Sequence, residues 1–292
     1  MQKQITSAEI EQHNIDALPD TVEIIYPEDK LDARKDEKQN AHLDLNYANL
    51  KIDIANISDL KGEDFTLARR NGFGTSDSSV ILGVNPYKTL SELIIEKSTP
   101  TISAEEKELA KNVAIRKGNA LEPLIIDKFS KQFQQDTWKP MDMYEHKDFP
   151  YLKFNFDGVT GKPGAYYPAE IKVVTARGEK HYNPGKAYYI EGQGFNTEPA
   201  DVTKDNISIQ SKALHYGIPV YYYTQLQQEI LGLGASFGYL CTLPERSWDL
   251  IVYKIHRDEA TINALKVEGY KAWERVLTVR KEKGYGPRLG RY

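Results

Sequence analysis

The chain has 292 residues, 40% of them hydrophobic and 27% charged, which suits one large soluble domain or a core with an appendage. It has no apolar run near the roughly 18–20 residues of a membrane span, no apolar signal core after Met1-Gln2-Lys3-Gln4-Ile5, and a single cysteine, Cys241. These features exclude an intrachain disulfide framework and a cysteine zinc site, and they lead us to expect a cytoplasmic protein with no membrane partner. The net charge of −4 argues against a nucleic-acid partner until its distribution is considered. Residues 1–60 hold 13 acidic and 6 basic side chains, a balance of −7 that leaves the remainder at +3. A mildly basic body is compatible with a phosphate backbone.

In chain order, residues 1–60 read as an acidic arm, with a charge-dense stretch over 29–40. The core begins near Asp64. A helix start is expected over Ser76 to Leu82, capped by Thr75 or Ser76, with a short helix over Leu90 to Lys97. A long helix over Glu106 to Phe133 has a buried face of Leu121, Leu124, Ile125 and Phe129, with a break at Gly118. Strands Tyr151–Val159 and Tyr167–Val174 follow, divided by the turn Gly161-Lys162-Pro163-Gly164. Residues 177–212 read as an insertion. Tyr222–Leu233 is again helical, Phe237–Leu243 and Asp249–His256 are strands, and Arg257–Lys283 is a final helix. The domain therefore spans 61–283, with a basic tail over 284–292. The order implies an α/β fold with a mixed central sheet flanked by helices.

The chemistry centres on Glu170-Ile171-Lys172. Side chains alternate along a strand, so Glu170 and Lys172 share one face while Ile171 and Val173 turn to the core. A solvated charged face has the same pattern. Asp157-Gly158 reads equally as turn chemistry, but a hairpin brings Asp157 beside Glu170. Two carboxylates and a lysine then form a candidate site for a hard divalent cation, Mg²⁺ or Mn²⁺. Glu122, close to Gly118 on its helix, adds a third carboxylate or is an ordinary boundary residue. Upstream, a loop with Gly72 and Gly74 leads into a capped helix start where free N–H groups and an arginine can hold a phosphate. Tyr221-Tyr222-Tyr223 can stack on bases or fill a helix start.

In order, Arg69-x-x-x-Phe-Gly-Thr-Ser-Asp, Leu82-Gly-Val-Asn-Pro-Tyr87, Gly118-Asn-Ala-Leu-Glu-Pro123, Phe156-Asp-Gly158, Glu170-Ile-Lys172 and Gln225-Leu-Gln227 resemble the YqaJ-type viral recombinases. These belong to the lambda exonuclease group of the PD-(D/E)XK nuclease superfamily. Each motif is weak alone; their order carries the resemblance, over about residues 65–255. It implies a restriction-endonuclease-like core in which Asp157, Glu170, Glu122 and the Ile171 carbonyl are metal ligands. Lys172 would orient or deprotonate the attacking water, Gln227 would line the site with Gln225 as a further candidate, and Arg69 and Ser76, with Arg70 as a further candidate, would hold a DNA phosphate.

The implied activity is Mg²⁺-dependent exonuclease action on linear duplex DNA from the 5′ end, with a single-strand annealing protein as partner and a homo-oligomer, a trimer by resemblance. Another nuclease on the same core, or a non-catalytic DNA-binding protein, is the alternative. The insertion at 177–212 departs from the compact relatives.

Overall fold

The computed structural model describes residues 42–292 except 56–59, 61, 105–107, 109–111, 205 and 291–292. The chain divides at residue 41, so most of the acidic arm lies outside the described residues.

A seven-stranded mixed sheet is the frame. Its order is β2 (Thr137–Trp138), β5 (Val159–Lys162), β6 (Ala165–Val174), β9 (Phe237–Pro244), β10 (Ile251–His256), β7 (Tyr189–Ile190) and β8 (Gly194–Phe195). The β5–β6 hairpin is antiparallel, closed by a turn in which Gly161 and Gly164 have φ of 111° and 85°, a backbone region that favours glycine. β6 and β9 are parallel, in register from Ala169↔Tyr239 to Val174↔Pro244. A three-stranded sheet, β1 (Ile52–Ile54), β3 (Tyr144–His146) and β4 (Lys153–Phe154), lies apart from it in the strand order.

Strand alternation sends side chains to two cores. On one face, Ile125, Ile126 and Phe129 of helix α4 (Val113–Phe133) pack on Ala169, Ile171, Tyr239 and Val252. On the other, Leu226, Ile230 and Leu233 of α6 (Val220–Leu233) join Leu240, Tyr253 and Ile255. The helices α1 (Gly62–Arg69), α2 (Ser78–Ile81), α3 (Leu90–Ser98), α5 (Ile209–Tyr216) and α7 (Glu259–Glu282) complete the order, with α2, α3, α5 and α7 contributing buried residues to the second core. Among the described residues no helix is long and apolar enough to cross a membrane.

Three expectations change. Residues 42–55 are core rather than arm: Leu43, Leu50 and Ile52 are buried, and β1 pairs with β3. The segment 177–212 is not a detached insertion, because β7 pairs with β10 and β8 with β7, so it extends the sheet at its far edge. The basic tail is anchored. Arg280 is fully buried and donates to the carbonyls of Lys97, Arg70 and Pro287, while Asn71 Oδ1 accepts from both Arg280 and Leu289 N. The Arg280 guanidinium of α7 thus makes five internal hydrogen bonds, two of them to Lys97 O, and ties the tail to the body. At the start of α7, Asp258 accepts from Lys212 at 3.0 Å, from Tyr223 at 2.9 Å and from Thr261. A buried pair of this kind is costly to break, because either partner alone leaves an uncompensated charge.

His146, on β3, gives the fold a pH limit. Its Nδ1 accepts from the N–H groups of Asp148 and Phe149, which assigns the proton to Nε2, and Nε2 is buried without a partner. Burial, reinforced by Lys266 and Lys51 against Asp148, depresses the imidazole to about 4. The stability that goes with neutral His146 is complete above the ordinary value of 6.5 and is lost as the pH falls through about 4, since the unfolded chain takes up the proton first. Thermal melts from pH 7 to pH 4 should show a steady fall in Tm, and His146→Asn should flatten that slope; an unchanged slope would remove His146 as the cause.

Candidate active site

The site forms where the β5–β6 hairpin comes apart. Pairing runs from Ala165 to Pro168, and Ala169 N donates to Gly158 O at 2.9 Å. Beyond that point β6 continues alone on this side. A Cβ on Gly158 would lie 3.0 Å from Ala169 O, so a larger residue would press on that carbonyl. The residue before it, Asp157, reaches across the gap: Ile171 N donates to Asp157 Oδ2 at 3.4 Å. The N–H and C=O of one strand residue point to the same edge, so the Ile171 carbonyl faces the gap as well.

Glu170 and Lys172 share the face of β6 toward α6. Lys172 Nζ lies 3.0 Å from Asp157 Oδ2 and also pairs with Glu170 Oε1. Gln225 Nε2 donates to Glu170 Oε1 at 2.5 Å and lies 3.4 Å from Glu229 Oε1. Glu170 is wholly buried; its Oε2 receives no hydrogen bond from an N–H or hydroxyl group, and the Glu229 carboxyl hydrogen-bonds the Glu170 carboxylate. Burial first, then the Asp157 charge, pushes the Glu170 carboxyl up to about 7. Glu229 is raised well above the carboxylate range by burial and then by Glu170. For Lys172 burial acts downward, but Glu170 and Asp157 outweigh it and hold the group well above an ordinary lysine. Lys172 is thus an ammonium between two carboxylates.

Glu122 sits on the α4 side. Burial and then Asp157 raise its carboxyl, and it pairs with Lys139. Pro123, inside α4, supplies no N–H to the ladder at the turn that carries Glu122. Among the described residues no three acidic, histidine or cysteine groups converge on a single point as a ready cation cage. The donor set nevertheless fits a hard cation. It consists of the Asp157 and Glu170 carboxylates and the Ile171 carbonyl, all oxygen, and Lys172 supplies only part of the positive charge these groups require.

Asp157, Lys172 and Gln225 open into a cavity of about 320 Å³ that is also lined by Arg69, Gly74, Thr75 and Ser76, while Glu170 lies buried behind it. Arg69 and Ser76 are both exposed there. The expected helix start is a 3₁₀ turn, Thr75–Asp77, followed by the four residues of α2. Its cap is Gly74, whose N–H donates to Asp77 Oδ2 at 2.9 Å and so is not free for an anion. Asp77 pairs with Lys97 at 2.8 Å; burial pushes its carboxyl up, and Lys97 with Lys88 and Arg69 outweighs that and holds it low.

Two expected residues lie elsewhere. Arg70 is buried and donates to the carbonyls of Thr99 and Thr101, a structural position. Gln227 points away from the cavity: its Nε2 donates to His256 O at 2.8 Å and its Oε1 accepts from Asp258 N at 2.8 Å. Positions two apart on a helix differ by about 200°, so one glutamine at most can face the site; the site residue is Gln225. Glu229 escaped sequence reasoning, although it lies four residues after Gln225 and hence on the same helix face.

The family model for a YqaJ-like viral recombinase domain matches residues 64–232. The uncharacterized protein YqaJ of Bacillus subtilis (strain 168) is 26% identical over 104 residues, covering 36% of this chain and 31% of that protein, so the match spans less than a third of that relative's length. The crystal structure of an alkaline exonuclease (LHK-Exo) from Laribacter hongkongensis superposes with a TM-score of 0.51 at 16% identity, over 76% of this chain and 96% of that one. The fold is thus similar to that of an alkaline exonuclease, with a restriction-endonuclease-like core.

The two glutamines should separate in urea unfolding. Gln227→Ala leaves a buried N–H and C=O unpaired and should cost about 1–3 kcal/mol. Gln225→Ala, at the cavity wall where water can enter, should cost far less; equal losses would contradict the division of roles.

Proposed function

The chain belongs to the family of YqaJ-like viral recombinase domains, and from that premise we propose that it is a metal-dependent DNA exonuclease of the phage recombination type. The observation that carries this reading is a cavity lined by Asp157 and Lys172, with buried Glu170 paired to Lys172 behind them, and lined as well by Arg69 and Ser76. An acidic cluster with a lysine suits hydrolysis, and an arginine in the same lining suits a phosphate.

In this reading Asp157, Glu170 and the Ile171 carbonyl hold Mg²⁺, with Mn²⁺ as a substitute, and Glu122 joins them directly or through water. The bound cation supplies Lewis-acid polarisation of the phosphoryl oxygens and an acidified water. Lys172 orients the attacking water and offsets the charge that develops at phosphorus. Gln225 would fix the Glu170 carboxylate by donating to its Oε1. Arg69 and Ser76 hold a phosphate of the strand, the 5′-terminal one. The substrate is the end of linear duplex DNA, digested from 5′ to 3′, and the remaining 3′ strand is passed to a single-strand annealing protein. Assembly as a homo-oligomer, a trimer by family resemblance, belongs to the same reading.

The test is a digestion panel with Mg²⁺ on linear duplex bearing 5′-phosphate or 5′-hydroxyl ends, nicked circles, closed circles and single strands. Loss of one strand from 5′-phosphorylated linear duplex is expected, and Lys172→Ala should lower the rate about 10²–10³-fold, the size of one lost charge-stabilising contact. Cutting confined to closed circles, or full activity in Lys172→Ala, would sink the proposal. Cation binding has its own readout. Millimolar Mg²⁺ should raise the Tm of the wild-type protein, since a ligand bound only by the folded state stabilises it, and should leave Asp157→Asn unmoved; an equal rise in both would place the ion elsewhere.

A further inference from the structure

A strip of tyrosines runs outward from the reactive lysine. Tyr222 lines the cavity, with its ring centroid 5.6 Å from Lys172 Nζ. Tyr221 meets Tyr222 at 4.5 Å between centroids, and Tyr87 meets Tyr221 at 5.8 Å, in each case at 64°. Tyr223, the third of the run, is buried on Asp258 and takes no part. At the outer end Tyr87 is 76% exposed.

The turn that carries Tyr87 is built. Asn85 Oδ1 accepts from the N–H groups of Tyr87 at 2.8 Å and Lys88 at 2.9 Å, and Asn85 Nδ2 donates to Oγ of buried Ser79 at 2.8 Å. The N–H groups of Val84 and Asn85 both donate to Ser79 O. Five hydrogen bonds therefore hold a large aromatic ring in water. A single exposed tyrosine is ordinary. A fixed turn that presents one at the end of a continuous strip leading to the reactive group calls for a ligand. Charge selects which one. Three cationic groups flank the strip: Lys172 at its inner end, held between Asp157 and Glu170, exposed Arg69 in the lining of the same cavity, and Lys88, paired with Glu96, next to Tyr87 in the chain. A ligand with flat apolar faces and an anionic backbone matches both properties, and every nucleobase has a face that stacks on an aromatic ring.

We propose that Tyr87 is a stacking platform for an unpaired nucleobase of the DNA strand whose phosphodiester lies at Lys172. The inference rests on the reading of the cleft as a DNA-hydrolysing site and adds a base subsite to it. The subsite is indifferent to base identity, since no hydrogen-bonding side chain is needed, and it favours a frayed end over a paired one.

The test uses single-stranded oligonucleotides with 2-aminopurine at one of the first three positions from either end, in separate molecules, with Ca²⁺ replacing Mg²⁺ so that binding is read without cleavage. At one position the wild-type protein should quench the probe. Tyr87→Ala should abolish that quench and weaken binding about tenfold, within the range for one base stacked on an aromatic side chain, while Tyr87→Phe should keep both. An abasic nucleotide at the same position should weaken wild-type binding to the level of Tyr87→Ala and leave that variant unchanged. Equal weakening of base-bearing and abasic strands by Tyr87→Ala, or no weakening of either, would overturn the platform. Matching melts of Tyr87→Ala and wild type would exclude misfolding. If quenching at Tyr87 is seen but Mg²⁺ produces no digestion, the hydrolytic reading fails and the platform stands. If wild-type digestion proceeds without any Tyr87-dependent quench, the platform fails and the hydrolytic reading stands.

Discussion

Lys172 lies between two carboxylates that cannot otherwise share a pocket. Asp157 and Glu170 face each other across the opened hairpin, Glu170 has no exposed surface, and Glu229 adds a third acidic group behind it. Removing such charges from water costs several kcal/mol per ion unless a counter-charge is at hand. The ammonium supplies part of it. The surrounding fold keeps this arrangement in place.

The sheet creates the gap. β6 runs parallel to β9 for its whole second half, so residues 169–174 are held from one side only, and the departure of β5 after Pro168 leaves the other edge to Asp157. Gly158 sits at the close crossing of the two strands. Helix α6 then closes the pocket from below. It carries Gln225, Gln227, Gln228 and Glu229 through a largely apolar setting, and the helical turn sorts them: Gln225 and Glu229 toward Glu170, Gln227 toward His256 and Asp258, and Gln228 toward Ser78 and the carbonyls of Phe73 and Lys153. One helix thereby supports the chemistry on one face and ties the core together on another.

The basic side chains divide in the same way. Arg70 and Arg280 satisfy buried carbonyls, and Lys97 neutralises Asp77 beneath the 3₁₀ turn. Arg69, one residue from Arg70, stands exposed at the cavity mouth. Neighbouring arginines thus serve opposite purposes, because successive residues at a helix end point about 100° apart.

Much of this was legible in the chain itself. Period-two alternation in Glu170-Ile171-Lys172 assigns a common face to the two charges, the Gly161–Gly164 turn calls for the hairpin, and the ordered motifs lead to the family, because each depends on contacts a few residues long. The phase of a helix, the depth of a strand and the partner of a charge depend on what packs against them from far along the chain. Only the tertiary structure could therefore prefer Gln225 to Gln227, bring Glu229 behind Glu170, draw residues 42–55 into the core and 177–212 onto the sheet, and withdraw Arg70 from solvent. Local pattern sets which face a side chain takes on its own element; long-range packing decides what that face meets.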